Sequence, residues 1–313
     1  MQTKRQIQEL LSAAGVSPNR RLGQHFLVDL NLMRLLVDAA QIEARDIVLE
    51  IGAGTGSLTE ALAERAGRVV SVELDPTLAG IAQSRLAVAG NVQLLNTDVL
   101  SGKGTIAPTV VAALERAREK TEEVGRLGPI GQTGPMAGEA RVLLVSNLPY
   151  DVASPVMINL VKGPLTVDVM CVTVQKEVAE RMAAPTGSKD YGTLSIFLQA
   201  TGEVEILRTL GPSVFWPPPQ VDSAIVRYVR DQQKSLQILD MDLFGAVVGL
   251  FIGHRRKMLR ACVRQAPPSL GGRDRWMAIF EQLGIDPTAR PEGISPEQYV
   301  NMANLCRQTR GVS

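Results

Sequence analysis

The residues most able to do chemistry lie in "VLLVSNLPYD", at 142–151. A buried-strand pattern from Val142 to Val145 gives way to Ser146 and the bare amide of Asn147, and Leu148, Pro149 and Tyr150 follow. Pro149 has no N–H and a fixed φ, and it drives Leu148 towards extended backbone. The chain therefore leaves the sheet abruptly, with carbonyls unpaired, the Asn147 side chain free and an aromatic ring beside them. A flat ligand that carries N–H donors fits such a place.

A second group of residues points to a nucleoside. In "EIGAGTG" (50–56) the glycines let the backbone turn tightly and approach a ligand just before a helix begins. A dinucleotide fingerprint would read G-x-G-x-x-G, but Ser57 stands at the third glycine position, and the loop has no P-loop lysine. Glu73 ends the next apolar run, where a carboxylate can accept both hydroxyls of a ribose; the same residue could be a turn acid or a helix cap. Asp98, in "NTDVL", is placed to accept from an adenine amino group, or else simply forms a turn. Glycine loop, ribose acid and adenine-side acid in this order suit S-adenosyl-methionine better than a nicotinamide dinucleotide. A dehydrogenase also lacks a convincing hydride-transfer site here.

Alternating elements must position these groups. The spacing predicts strands in "DIVLEIGAG" (46–54), "RVVSVELD" (68–75), "VQLLNTD" (92–98), "RVLLVSN" (141–147) and "DVMCVTVQ" (168–175). It predicts helices in "DLNLMRLLVDAAQI" (29–42), "SLTEALAERA" (57–66) and "LAGIAQSRLAVAG". Such alternation implies a mostly parallel, doubly wound sheet with helices on both faces, and ligands then sit beyond the carboxyl ends of the strands. Gly52, Glu73, Asp98 and Asn147 all fall at such ends. Residues 101–140 interrupt the pattern with a charged, helix-like piece and then the glycine-rich "GRLGPIGQTGPMAG", which reads as a flexible loop; the whole segment is either a tolerated surface insertion or a partner-binding element. After about residue 233 the character changes. "LDMDLFGAVVGLFIGHRRKMLRACVRQ", "RWMAIFEQLG" and "YVNMANLCRQ" read as helices of a small all-helical domain, 234–313, after a first domain at 1–233.

Composition narrows the classes. The chain has 313 residues, 33 Lys and Arg against 32 Asp and Glu, and a net charge of +1, so the total charge is no argument for a nucleic-acid partner. Cys171, Cys262 and Cys306 are scattered and odd in number, which suits neither a disulfide framework nor a zinc site and points to a reducing cytoplasm. No metal is expected. The longest uncharged apolar run, 243–253, is well short of the roughly 20 residues a membrane span needs, so a soluble protein with no membrane partner is expected.

"GQHFLVD", "EIGAGTG", "VELD", "NTD", "SNLPY", "QKEVAERM…GSKDYGTLSI" and "FWPPPQVDSAIVR" occur in the order found in ribosomal RNA adenine dimethyltransferases. "HRRKMLR" and "LGIDPTARPEGISPEQY" resemble the helical part of the small-subunit enzymes of that family. The resemblance covers nearly the whole chain except 101–140, which looks longer than the family's usual connection. It implies a Rossmann-like methyltransferase sheet, S-adenosyl-methionine as cofactor, and a monomer acting on small-subunit rRNA in a pre-ribosomal particle. His25 and Leu27 would then line the cofactor pocket with Gly52, Glu73, Asp98 and Asn147; the family often has Asn where this chain has His25. It also implies that Asn147 and the Leu148 carbonyl hold the two N6 hydrogens of a target adenine, with Pro149 shaping the turn and Tyr150 stacking on the base. The stiff "FWPPPQVDS" could set Phe215 against that base, or carry both its aromatics into the core. Arg255, Arg256, Lys257 and Arg260, with Arg264, form a basic run that either meets RNA or is a solvated helix face; Arg20 and Arg21 could extend it. A large-subunit rRNA methylase and a mainly non-catalytic assembly factor are the rivals.

Overall fold

The computed structural model describes residues 1–19, 22–102, 104–126, 140–163 and 165–308. Arg20, Arg21 and nearly all of the glycine-rich half of the expected insertion lie outside them.

Five strands form where the apolar runs require them: β2 (Ile47–Ile51), β3 (Arg68–Glu73), β4 (Val92–Asn96), β5 (Val142–Asn147) and β6 (Val169–Gln175), after a two-residue β1 (Phe26–Leu27). Among the described residues, β7 (Gly202–Leu210) and β9 (Ser223–Arg230) complete a seven-stranded sheet in the order β4-β3-β2-β5-β6-β9-β7, and β8 (Phe215–Trp216) pairs with β1 apart from it. The pairings β4·β3, β3·β2, β2·β5 and β5·β6 are parallel. One register row runs Val69–Val48–Leu143–Val169, and the next runs Val70–Leu49–Leu144–Met170. Successive side chains in a strand point to opposite faces. Both rows are buried, so β2, β3, β5 and β6 are covered on both faces and are mostly apolar rather than alternating.

Helix Leu30–Ala39, capped by Asp29, packs on β6 and on helix Ser57–Ala63, and its Leu32, Met33, Leu36 and Val37 join Val48, Val69 and Leu143 in one core. The charged piece of the expected insertion is more than a surface loop. Helix Pro108–Arg126 packs on β2 and β3, and Val110, Ala113, Leu114 and Ala117 are buried at helical spacing. The apolar stripe was hidden among seven charged residues between Glu115 and Glu123.

The chain divides into two compact units, 1–179 with 205–228 and 180–204 with 229–313. The boundary expected at 233 thus lies a few residues earlier, and residues 180–204 belong with the helical part. Helix Thr193–Thr201 is why: it is buried on most of its circumference, and Phe197 meets Phe244 edge-on at 5.0 Å. Phe251, Trp276, Phe280 and Tyr299 complete that unit's core. The first of the expected C-terminal helices is broken. Helix Met241–Ile252 ends at Gly253, the basic residues 253–257 form a turn, and helix Leu259–Cys262 starts afresh from an extended Met258. Among the described residues no helix is long and apolar enough to cross a membrane.

Leu114 is fully buried, so Leu114→Ala should destabilise the protein by roughly 2–4 kcal/mol, as truncation of a packed leucine does. Urea denaturation followed by circular dichroism measures it. A loss below about 0.5 kcal/mol, the size of an ordinary surface substitution, would mean that this helix only rests on the surface.

Candidate active site

The carboxyl ends of β2, β3 and β5 meet around a cavity of about 280 Å³. Gly52 and Gly54 follow β2 with φ of 84° and 57°, a region closed to most residues. A Cβ on Gly54 would stand 2.9 Å from the Phe26 ring, and one on Gly52 would stand 3.3 Å from Pro149. The loop is therefore glycine because β1 and the turn after β5 crowd against it.

Glu73, the last residue of β3, is buried and accepts from Gly54 N at 2.7 Å and from Asp75 N at 2.9 Å. It is thus a brace for the glycine loop. A carboxylate has about four lone-pair sites, so acceptor capacity remains for a ligand. Burial pushes its carboxyl above the usual range, against the pull of those backbone N–H groups. Asp98 lies on the cavity wall, exposed; Oδ1 caps Leu100 N at 2.9 Å, which leaves Oδ2 for a ligand.

Asn147 closes β5 opposite Thr173. Its Nδ2 donates to the His25 carbonyl at 2.8 Å, which fixes the sense of the amide and leaves Oδ1 as the open acceptor. Leu148 donates its N–H to Thr173 O, and among the described residues its own carbonyl accepts no hydrogen bond. Pro149 turns the chain under Gly52. Tyr150 is fixed at both ends, its hydroxyl 2.7 Å from Ser223 Oγ and its ring stacked on His25 at 5.8 Å. His25 Nδ1 lies 2.7 Å from the Pro217 carbonyl, which can only accept, so Nδ1 carries the proton. Leu27 lines the cavity too.

Phe215 is not brought to this cavity. It is 3% exposed, sits in the main core and pairs with Leu27 across β1·β8, while Trp216 packs with Ile7, Leu11 and Leu78 and stacks on Phe26. The expectation that Phe215 faces a ligand is corrected: apolar burial claims both aromatics. Arg255, Arg256, Lys257 and Arg260 belong to the helical unit. Arg255 is tied, donating to Lys189 O and pairing with Glu292, whereas Arg256, Lys257 and Arg260 are exposed.

Among the cavity residues that escaped the sequence reading are Ile7 and Glu50. Ile7 comes from helix Lys4–Ala13, whose apolar stripe was the available signal. Glu50 lies inside β2, 1% exposed; an acid within "IVLEI" was its signal. Thr59 and Ser71 both donate to its Oε2, at 2.6 and 2.7 Å, and Oε1 is buried without a partner. Burial pushes this carboxyl up to about 7, the two hydroxyls pull it down, and Glu73 adds repulsion.

Residues 15–308 match the family model for ribosomal RNA adenine dimethylase. The chain belongs to that family. The motif resemblance is thereby confirmed, and the enzyme is an S-adenosyl-methionine-dependent methyltransferase. It is 36% identical to a ribosomal RNA small subunit methyltransferase A of Pelotomaculum thermopropionicum over 95% of this chain and 94% of that one. A protein of the same description from Geobacillus sp. is 34% identical, with the same coverage. A solved dimethyladenosine transferase from Plasmodium falciparum is similar in fold, with a TM-score of 0.65 at 21% identity over 89% of this chain and 96% of that one. The 23S rRNA methyltransferase ErmE is similar in fold at 0.59 and 23% identity, over 90% and 100%. The cavity fits the cofactor: a glycine-rich loop, acids at two strand ends, and walls that mix apolar side chains with the polar groups of His25 and Asn147.

Glu50 makes the stability of the methyltransferase pH-dependent. Its folded pKa of about 7 lies above its ordinary 4.5, so between those values the folded state holds the extra proton. Stability therefore falls as pH rises through that window, by roughly 3 kcal/mol in all. Glu50→Gln, melted without cofactor, should lose this slope and exceed the wild type at pH 8 but not at pH 4.5. Parallel melting curves for the two proteins would contradict this.

Proposed function

We propose that this enzyme dimethylates N6 of two adjacent adenines in a hairpin near the 3′ end of small-subunit rRNA. It acts as a monomer on a pre-ribosomal particle in the cytoplasm and serves small-subunit biogenesis. The relatives described as small-subunit enzymes support the substrate, since they match about 95% of both chains, the helical unit included. The observation that carries the reading is the bond from Asn147 Nδ2 to the His25 carbonyl, which leaves two acceptors, Asn147 Oδ1 and the Leu148 carbonyl, at one strand end.

In this reading Gly52, Glu73 and Asp98 hold the cofactor, with His25, Leu27 and Asn147 along its cavity. S-adenosyl-methionine, when bound, supplies an electrophilic methyl group on a sulfonium. The amino nitrogen of adenine is a weak nucleophile while its lone pair is delocalised into the ring. Two acceptors on its two hydrogens favour a pyramidal nitrogen and aim the lone pair. Tyr150, held by Ser223 and His25, is a rigid plate for a base turned out of its stack. Placement does the work, and no general base is needed, because the nitrogen becomes acidic once methylated. Arg256, Lys257 and Arg260 meet phosphates of the RNA, and Arg255 stiffens their turn.

Asn147→Ala should lower methylation of small-subunit particles by about 10²-fold or more, by analogy with loss of one oxyanion-hole donor, and should weaken cofactor binding far less. Near-normal turnover would sink the mechanism. Mapping dimethylated adenines in both rRNAs, with and without the gene, tests the substrate: a mark lost from the large-subunit rRNA instead would favour the rival methylase. Normal ribosome assembly in the Asn147→Ala strain, beside defective assembly in a deletion strain, would favour the assembly factor.

The basic turn has its own test. A cation that meets a phosphate releases condensed counterions, so removing one such cation should reduce the slope of log K against log salt by about 0.7–0.9. Replacing Arg256, Lys257 and Arg260 with Ala should flatten it by about 2, with equal weakening for matched and mismatched RNA. Parallel lines would make the turn a solvated surface.

A further inference from the structure

The N-terminal segment makes an interaction that the chemistry described so far leaves unused. Gln2 is 1% exposed, although nothing else about its place in the sequence predicts burial. Its Nε2 donates to the Thr55 carbonyl at 3.0 Å, and its Oε1 accepts from Thr55 Oγ1 at 2.6 Å. Its backbone N donates to Ser57 Oγ at 2.7 Å, and that hydroxyl turns in its own right to Met33 Sδ. Thr55 and Ser57 are both buried. One amide thus clasps the carbonyl and the hydroxyl of the residue between Gly54 and Gly56, and the Gln2 backbone is pinned two residues further on.

We propose that Gln2 is a positioning residue for the cofactor loop, with Ser57 as its anchor. The proposal rests on the reading of residues 52–57 as that loop. Three glycines with left-handed φ make the segment intrinsically mobile, so its bound shape must be imposed from outside. Glu73 imposes it at Gly54 N, and Gln2 does so at Thr55 and Ser57. The same clasp sets the register of helix Lys4–Ala13, which starts from Thr3 and puts Ile7 on the cavity wall. It also accounts for the missing third glycine of the motif. A glycine at position 57 would have no hydroxyl to hold the N-terminal segment.

Gln2→Met keeps the shape of the side chain and removes both of its hydrogen bonds. Calorimetry with S-adenosyl-homocysteine should give a Kd about tenfold weaker than wild type, the size expected for losing buried hydrogen bonds. Binding stoichiometry should hold, and kcat at saturating S-adenosyl-methionine should stay within about twofold, since a pre-organised loop acts on binding and not on the transferred methyl. A merely structural role would do the reverse, lowering stoichiometry and kcat together at unchanged Kd, and that result overturns the proposal, as does wild-type Kd with full stoichiometry. If Gln2→Met does not fold, Ser57→Ala takes its place. It keeps the side-chain clasp, removes the backbone anchor together with the weak contact to Met33 Sδ, and should weaken binding about threefold; wild-type affinity there overturns the proposal equally. Failure of the wild type to bind S-adenosyl-homocysteine would instead bring down the cofactor reading on which the proposal stands.

Discussion

Everything at the site depends on the parallel pairing of β2 with β3 on one side and β5 on the other. Parallel neighbours end at the same edge of a sheet, so Gly52, Glu73 and Asn147 arrive together although they are far apart in sequence. The register is set by two rows of apolar side chains, one for each face. A slip of one residue would exchange the rows and put every strand-end group on the wrong face. The core is in this sense a positioning device. Burial of the Val69–Val48–Leu143–Val169 row decides where a glycine, a carboxylate and an amide meet.

Polar groups at that edge are costly to bury, and each is compensated differently. Glu73 takes two backbone N–H groups, so its burial also braces the loop. Glu50 takes two hydroxyls on one oxygen and leaves the other without a partner, and burial outweighs those hydroxyls to hold its carboxyl near 7. Asn147 commits its donor to the His25 carbonyl and keeps its acceptor. An amide with both ends satisfied would be a better structural element and a worse site.

The strand ends were legible in the sequence because short apolar runs stopped by glycine, acid or Asn-Leu-Pro carry their own punctuation. Other features were not, for definite reasons. Phe215 suits a pocket or a core equally well by type and by its proline neighbours; the long-range pairing of Leu27 with Phe215 decides for the core. The helical period continues through "GLFIGHRRKMLR", so only tertiary contacts reveal that Gly253 ends a helix. Helix Thr193–Thr201 lies far in sequence from the unit it joins, and no local pattern assigns it there. The clasp of Gln2 on Thr55 spans 53 residues and involves one unremarkable amide.

Those tertiary contacts join two motifs that look separate in the chain. Leu259 N donates to the Ala289 carbonyl and Arg260 N to the Pro287 carbonyl, both at 2.9 Å, so the restart of the helix after the basic turn is capped by the "IDPTARPEG" loop. Arg255 reaches Glu292 in the same loop. Asp286 is held below its usual range, first by the Thr288 hydroxyl and N–H and to a lesser degree by Arg260. Backbone bonds, rather than the cations themselves, thus fix the shape of the turn. That division matters for the proposed contact with phosphates: cations committed to internal ion pairs would have to break them on binding. One arginine here serves the structure, and Arg256, Lys257 and Arg260 are left facing solvent. The helical unit therefore presents charge on a backbone already ordered, so little conformational freedom remains to be lost when a polyanion arrives.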